Sequence, residues 1–275
     1  MSTMLRNIKY KREQGNVIGG WKLIEVLGSG QNGDVWEVSK SGHGNSAMKI
    51  LKLPNEACFK KFIAEIHVLS KAKIAGVIQI IESNIPTDFK KDLPWFVMPK
   101  AIEICEALKK KSILEVAAQF VLLAETLAKL HDLEIIHGDI KLGNILSYQE
   151  RLCFCDFGAA KYTNKKENTT ETKHEIAMYK MPKAEYAKRC DVYCLARTLW
   201  MMITKQKKRL DGQYNPNYEV AIKLYCQGLN TTALDNLLIE STDRDKRIRP
   251  SARQFSVRLN EWIKLNEVLS GSEQS

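Results

Sequence analysis

His137-Gly138-Asp139-Ile140-Lys141-Leu142-Gly143-Asn144, followed by Asp156-Phe157-Gly158, falls where this 275-residue chain changes character. Upstream of about residue 102 the sequence runs in short apolar pieces. WKLIEVL, DVWEVSK and SAMKILKL, rich in Val, Ile and Trp and separated by GSGQNG and SGHGN, predict an antiparallel meander that starts near Trp21. After Asn55, a candidate N-cap, Phe59, Phe62, Ile63, Ile66 and Leu69 recur at helical spacing, and VIQIIES and PWFVMP then resume as strands. Downstream, Ser112 with Glu115 gives a capping-box signal for a long helix to about His131. NILSY and RLCFCDF read as short strands, 160–180 as a long polar loop, and helical patterns fill 188–204, 216–228, 231–240 and 252–269. The expected fold is α+β in two lobes: a basic extension over 1–20, a small antiparallel-sheet lobe with one helix over 21–101, a larger mainly helical lobe over 102–269, and a disordered tail over 270–275. A cleft between two such lobes is a natural ligand site, and the quoted stretch lies at their junction.

Working outward from it, Gly28-Ser29-Gly30-Gln31-Asn32-Gly33-Asp34-Val35 is a GxGxxGxV loop. In a dinucleotide-binding unit such glycines open a helix, whereas VWEVSK after Gly33 alternates as a strand, so this is a glycine hairpin. Bare backbone N–H groups there can meet phosphates, though an ordinary hairpin is about as common. Ala47-Met48-Lys49 puts a lysine in an apolar strand, where its charge needs an anionic partner or a route to solvent. Glu65, on the next helix but off its Phe59/Phe62/Ile66 stripe, is the candidate partner. Phosphoryl transfer from ATP needs metal ligands across the phosphates, cations on their charge and a carboxylate near the incoming hydroxyl. The opening stretch supplies each part.

With the glycine loop, the lysine, H-x-D-x-K-x-x-N and DFG in this order, the chain resembles the eukaryotic-like protein kinase family over residues 21 to about 265. The resemblance implies MgATP as cofactor and a protein as substrate. Gly28, Gly30 and Gly33 would then cover the phosphates, Lys49 would contact the α- and β-phosphates, and Glu65 would hold Lys49. Asp139 would orient the substrate hydroxyl and accept its proton beside Lys141, while Asn144 and Asp156 would ligate Mg²⁺. Val35, Ala47 and Leu146 would sandwich the adenine, Met98 would be the gatekeeper, and Ala101 would bond the base edge after the unusual Pro99-Lys100. Leu69, His137 and Phe157 would stack as a spine, and Asp191 would anchor the catalytic loop. The departures are as informative. Gly138 replaces the arginine that a loop phosphate neutralises in many members, so that switch is expected to be absent. Ile176 stands where Ser/Thr kinases carry a threonine, while Lys141 favours Ser/Thr. Lys183 replaces a glutamate whose arginine partner would be Arg249, so either Glu185 substitutes or the bridge is missing.

The expected activity is transfer of the γ-phosphate to protein Ser/Thr hydroxyls, including the chain's own within 163–172. Tyrosine as the acceptor, a small-molecule phosphotransferase of the aminoglycoside or choline kind, and a pseudokinase binding module remain the alternatives. Lys141, DFG and DVYCLA stand against the small-molecule branch. A net charge of +10 favours anionic partners without choosing among them. The runs Lys205–Arg209 and Lys109–Lys111 read as solvated faces, so no nucleic acid is expected. Seven cysteines without zinc spacing, no apolar leader and no span long enough for a bilayer predict reduced thiols in a cytoplasmic protein without a membrane partner. Cys153, Cys155, Cys190 and Cys194 are expected to be small buried residues, Trp200, Met201 and Met202 core, and Thr169, Thr170 and Thr172 exposed.

Overall fold

The computed structural model describes residues 12–30, 33–52, 55–88, 92–163, 183–207, 210 and 212–272. The chain divides into two compact units. The first comprises residues up to 73 with 77–102 and 155–160, and the second 74–76, 103–154 and 161 onward.

Unit 1 is built on a six-stranded antiparallel sheet in the order β1-β2-β3-β4-β6-β5. Its strands are β1 (Val17–Ile18), β2 (Trp21–Ser29), β3 (Gly33–Ser39), β4 (Ser46–Leu51), β5 (Glu82–Asn84) and β6 (Trp95–Pro99). Every residue of β4 is buried, as expected of a central strand, while β2 begins with strict alternation. Inward-facing Ile18, Trp21, Leu23, Trp36, Val38, Met48, Ile50, Trp95 and Val97 form one core with Leu93. Helix α1 (Glu56–Lys71) starts where Asn55 accepts a bond from the Cys58 amide, as its cap position predicts. It buries Phe62, Glu65, Ile66, Val68 and Leu69, with Phe62 tilted against Phe96 at 5.5 Å. Phe59 and Ile63 are only half-buried, so the inward face is turned toward Glu65 from the stripe the periodicity suggested.

Two readings of this unit need correction. The fold starts before Trp21: Ile18 is fully buried, and Gly15 and Asn16 exchange backbone bonds of 2.8 Å with Leu23. Polar composition hid this because the pairing uses backbone groups. VIQI of the VIQIIES run is not strand, since Val77 and Ile78 are buried and the Gln79 amide bonds the carbonyls of Ala72 and Val77.

The chain leaves unit 1 through the two-residue strand β7 (Ile102–Glu103). Unit 2 contains α2 (Ile104–Ala107), α3 (Ile113–Asp132), β8 (Ile135–Ile136), β9 (Ile145–Tyr148), β10 (Arg151–Phe154) and β11 (Lys161–Tyr162). Helices α4 (Lys183–Thr204), α5 (Thr232–Ser241) and α6 (Ala252–Ser272) follow. Ser112 and Glu115 close the expected capping box on α3, whose faces bury Phe120, Leu123, Leu127 and Leu130. Strands β9 and β10 pair in register from Ile145↔Phe154 to Tyr148↔Arg151. The start of the expected long loop is strand instead, Lys161 and Tyr162 pairing with Ile136 and Ile135. Residues 216–228 are not the expected α-helix. They form turns around a 3-10 turn at Ile222–Leu224, because tertiary partners take the backbone one group at a time: the Trp200 indole bonds the Val220 carbonyl, and the Ile222 amide bonds the Tyr214 hydroxyl. On α4, Trp200 is core as expected, but Met201 and Met202 are only half-buried and Ile203 and Thr204 are buried in their stead. Cys153 and Cys155 are buried, while Cys190 and Cys194 are half-buried. Lys205 and Lys207 are exposed, as are Lys109, Lys110 and Lys111, and Lys111 pairs with Glu115 at 2.9 Å. Among the described residues no helix is long and apolar enough to cross a membrane.

Candidate active site

Each unit carries its own group of the residues singled out from the sequence. In unit 1 the centre is Lys49, whose position on the all-buried β4 leaves its ammonium no route to water. Its Nζ lies 2.7 and 2.8 Å from the two Glu65 oxygens and 2.9 Å from Asp156 Oδ1. Lys49 and Glu65 are almost completely buried, whereas the Asp156 side chain keeps 39% of its surface exposed. Burial works against the charge on Lys49, but the two carboxylates, Glu65 ahead of Asp156, outweigh it and hold the ammonium above its ordinary range. Burial likewise pushes the Glu65 carboxyl up, against the pull of Lys49. Solvation is thus spared for the one carboxylate that faces outward. Asp156 sits at φ +58°, a strained backbone for a non-glycine residue and a feature that clusters at functional sites.

The three glycines of the hairpin fall into two kinds by what a Cβ would meet. At Gly33 a Cβ would lie 2.7 Å from the Ile50 carbonyl oxygen, so the fold itself demands glycine there. At Gly28 a Cβ would meet nothing within 4 Å, and at Gly30 only the Gly33 carbonyl at 3.8 Å. Neither has a positive φ. The folded chain gives no reason for glycine at 28 and 30, and open room over bare backbone is what a phosphate chain requires. Val35 and Ala101 are half-buried, Ala47 and Met98 buried. Lys100 after Pro99 is explained locally: its Nζ pairs with Glu37 at 2.6 Å and holds that carboxyl below the usual range. Val26 and Leu27, just before the glycines, keep 54% and 40% of their surface exposed. The sequence reading passed over these two as ordinary strand residues.

In unit 2 the second group is wound on one loop. Asp139 Oδ2 accepts from Lys141 Nζ at 2.6 Å and from Asn144 Nδ2 at 2.9 Å, and Asn144 also bonds the Asp139 carbonyl at 2.8 Å. Nδ2 being so engaged, the carbonyl oxygen of Asn144 is the end that could hold a cation. Asp191, at 2% exposure on α4, accepts the amides of His137 and Gly138, each at 2.9 Å, and lies 3.0 Å from His131 Nε2. That carboxylate fixes the loop from beneath, in the place the sequence likeness gave it. His131 was read only as a helix end, and nothing in its spacing reveals the bond. Gly138 sits at φ +79°, which glycine adopts without steric cost. Leu146 is half-buried, and the buried His137 ring rests against Phe154 at 5.3 Å. Of the remaining spine residues, Leu69 and Phe157 are buried in unit 1.

Arg249 makes no salt bridge among the described residues. Its Nε bonds the Asp243 carbonyl at 2.8 Å and its guanidinium lies 4.4 Å from the centre of the Tyr193 ring. Glu185 does not substitute, because it accepts from Arg189 at 2.8 Å one turn along α4. The side chain of Lys183 lies outside the described residues, as do Thr169, Thr170, Thr172 and Ile176.

Comparison with known proteins agrees with this layout. The protein kinase domain family matches residues 21–262, and the chain belongs to it. It is 32% identical over 212 residues to a Drosophila melanogaster protein named a putative mitogen-activated protein kinase kinase kinase 7-like, covering 73% of this chain and 53% of that one. A probable serine/threonine-protein kinase of Dictyostelium discoideum is 28% identical over 201 residues, 66% of this chain and 21% of that one. The chain therefore spans about half of one relative and a fifth of the other. The Mycobacterium tuberculosis PknI kinase domain shares the fold, with a TM-score of 0.64 at 19% identity over 92% of this chain and 100% of that one.

Proposed function

We propose that the chain transfers the γ-phosphate of ATP to hydroxyl groups of proteins, serine and threonine foremost, its own residues within 163–172 included. The observation that carries the reading is the charge arrangement around Lys49: a buried ammonium held charged by buried Glu65 and by the more exposed Asp156. An ammonium so held is a fixed electrostatic partner for phosphate oxygens. The open positions at Gly28 and Gly30 suit the phosphates, and the carboxylate of Asp156 in the first unit and the amide oxygen of Asn144 in the second are each a hard-oxygen donor of the kind Mg²⁺ takes. When bound, Mg²⁺ supplies charge neutralisation on the phosphates. Exposed Val26 and Leu27 give an apolar surface for the base beside the glycines.

The rest is the work of the second group. Asp139 accepts the proton of the incoming hydroxyl, and its bonds from Lys141 and Asn144 fix the carboxylate for that task. Lys141 also brings positive charge next to the reacting centre. Serine and threonine are favoured by Lys141 and by the printed name of the Dictyostelium relative. Incubating the protein with γ-labelled ATP, Mg²⁺ and casein, then hydrolysing in acid, tests the reading. Phosphoserine or phosphothreonine is expected. Phosphotyrosine alone would overturn the acceptor class, and label found only on an aminoglycoside or choline would overturn the protein substrate.

A further inference from the structure

The neck of the glycine hairpin carries a negative charge where a phosphate-binding loop tolerates one poorly. Asp34 follows Gly33 directly and pairs across the hairpin with Ser29, which lies between Gly28 and Gly30. An unneutralised carboxylate there repels a nucleotide's phosphates. The structure shows how that charge is met. Arg12 Nη1 lies 2.9 Å from Asp34 Oδ2, with both side chains about 20% exposed. The other terminal nitrogen of Arg12 bonds the carbonyls of Leu51 and Lys52 at 2.8 and 3.3 Å, at the end of β4. Ser29 Oγ donates to Asp34 Oδ1 at 2.7 Å and accepts from Lys52 Nζ at 2.7 Å, and Lys52 stands 3.7 Å from that same carboxylate oxygen. One guanidinium from the N-terminal segment thus ties β3 to the end of β4, and Asp34 passes the tie on to Ser29 of β2.

Arg12 reaches this place because the segment behind it is folded back along β2. Gly15 N bonds the Leu23 carbonyl, Leu23 N bonds the Asn16 carbonyl, and Val17 and Ile18 pair with Lys22 and Trp21. We infer that Arg12 is a positioning residue for ATP, acting through Asp34: it neutralises that carboxylate and holds the β2–β3 hairpin at the spacing its phosphate-facing glycines require. Lys52, 44% exposed, is the weaker of the two cations on Asp34, since solvent screens it more. The inference rests on the nucleotide reading above and adds a role for the residues before the first long strand.

The test compares wild type, Arg12→Ala, Arg12→Lys and Arg12→Ala/Asp34→Asn in steady-state phosphate transfer to casein, with calorimetric titration of MgATP on each. Arg12→Ala should raise both KM and Kd for MgATP by roughly threefold to tenfold, the range a half-buried ion pair spans, with kcat within about twofold. Arg12→Lys should recover part of that loss, and removing the Asp34 charge in the double variant should recover most of it. A purely structural role would lower the melting temperature of Arg12→Ala and leave its Kd for MgATP unchanged. Unchanged MgATP affinity in Arg12→Ala would overturn the inference while leaving the kinase reading intact, and so would a double variant as impaired as the single one. A wild type that binds no MgATP would overturn the nucleotide reading and the inference with it.

Discussion

Lys49 is the residue on which burial and charge press hardest. Replacing it with Met keeps the shape but leaves Glu65, 1% exposed, as a buried carboxylate without its cation. Breaking a buried pair in this way costs about 3–5 kcal/mol, so Lys49→Met should unfold at markedly lower urea than wild type as well as lose activity. The loss should depend on pH. Glu65 already tends upward and rises further without Lys49, so the folded variant binds a proton that the unfolded chain has released above its ordinary carboxyl range. Stability of the variant should therefore fall as pH rises above the ordinary carboxyl range, and urea midpoints that stay level above it would contradict this. Two glycines test the other side of the same question. Gly76 sits at φ +94° with Thr126 Oγ1 2.1 Å from where its Cβ would be, whereas Gly28 has open space there. Gly76→Ala should cost about 1–3 kcal/mol. Gly28→Ala should leave the melting temperature close to wild type and raise KM for ATP. Equal melting temperatures for the two variants would contradict the assignment of Gly28 to a ligand.

Among the elements, α3 shows how far local chemistry reaches. Ser112 Oγ accepts from the Glu115 amide at 3.2 Å, and the Glu115 carboxylate accepts the Ser112 amide at 2.8 Å, a helix start readable from two letters. Ser112→Ala should lower stability by about 1 kcal/mol in urea titration at pH 7. Lys111 and the Ser112 amide and hydroxyl hold Glu115 down to about 2. With the folded value below the unfolded one, the carboxylate's contribution is complete above about pH 4.5 and fades as pH falls toward 2. The gap between wild type and Glu115→Gln should close over that window, and a constant gap would refute the carboxylate's part. Legibility ended where backbone groups found tertiary partners. Periodicity over 216–228 promised a helix, yet Tyr214 and Trp200 take its backbone groups singly. The segment from Arg12 to Gly20 has no apolar period, and it folds through backbone pairing with Leu23 and one long guanidinium. Such contacts join residues far apart in sequence, where spacing carries no signal.

For the whole molecule, the residues of the candidate site were legible because the proposed chemistry asks for their types in this order: Lys49, Glu65 and Asp156 do meet, and Asp139, Lys141 and Asn144 do share one loop. Asp191 anchors the loop by two amides, as the likeness implied; what the sequence left open was His131 beside it and the Tyr193 ring against Arg249, where either Glu185 or a missing bridge was expected. Gly138 adds no charge beside Asp139, so the loop's geometry rests on Asp191, a bond that needs no modification to form. The decisive measurement is the rate of γ-phosphate transfer from MgATP to a protein hydroxyl by wild type beside Asp139→Asn, which keeps the side-chain volume and removes the proton acceptor. Wild type should label casein on serine or threonine, and Asp139→Asn should lose about a hundredfold to ten-thousandfold in kcat while binding MgATP with near-unchanged affinity. Transfer by Asp139→Asn at the wild-type rate, or no transfer to protein by wild type, would contradict the assignment.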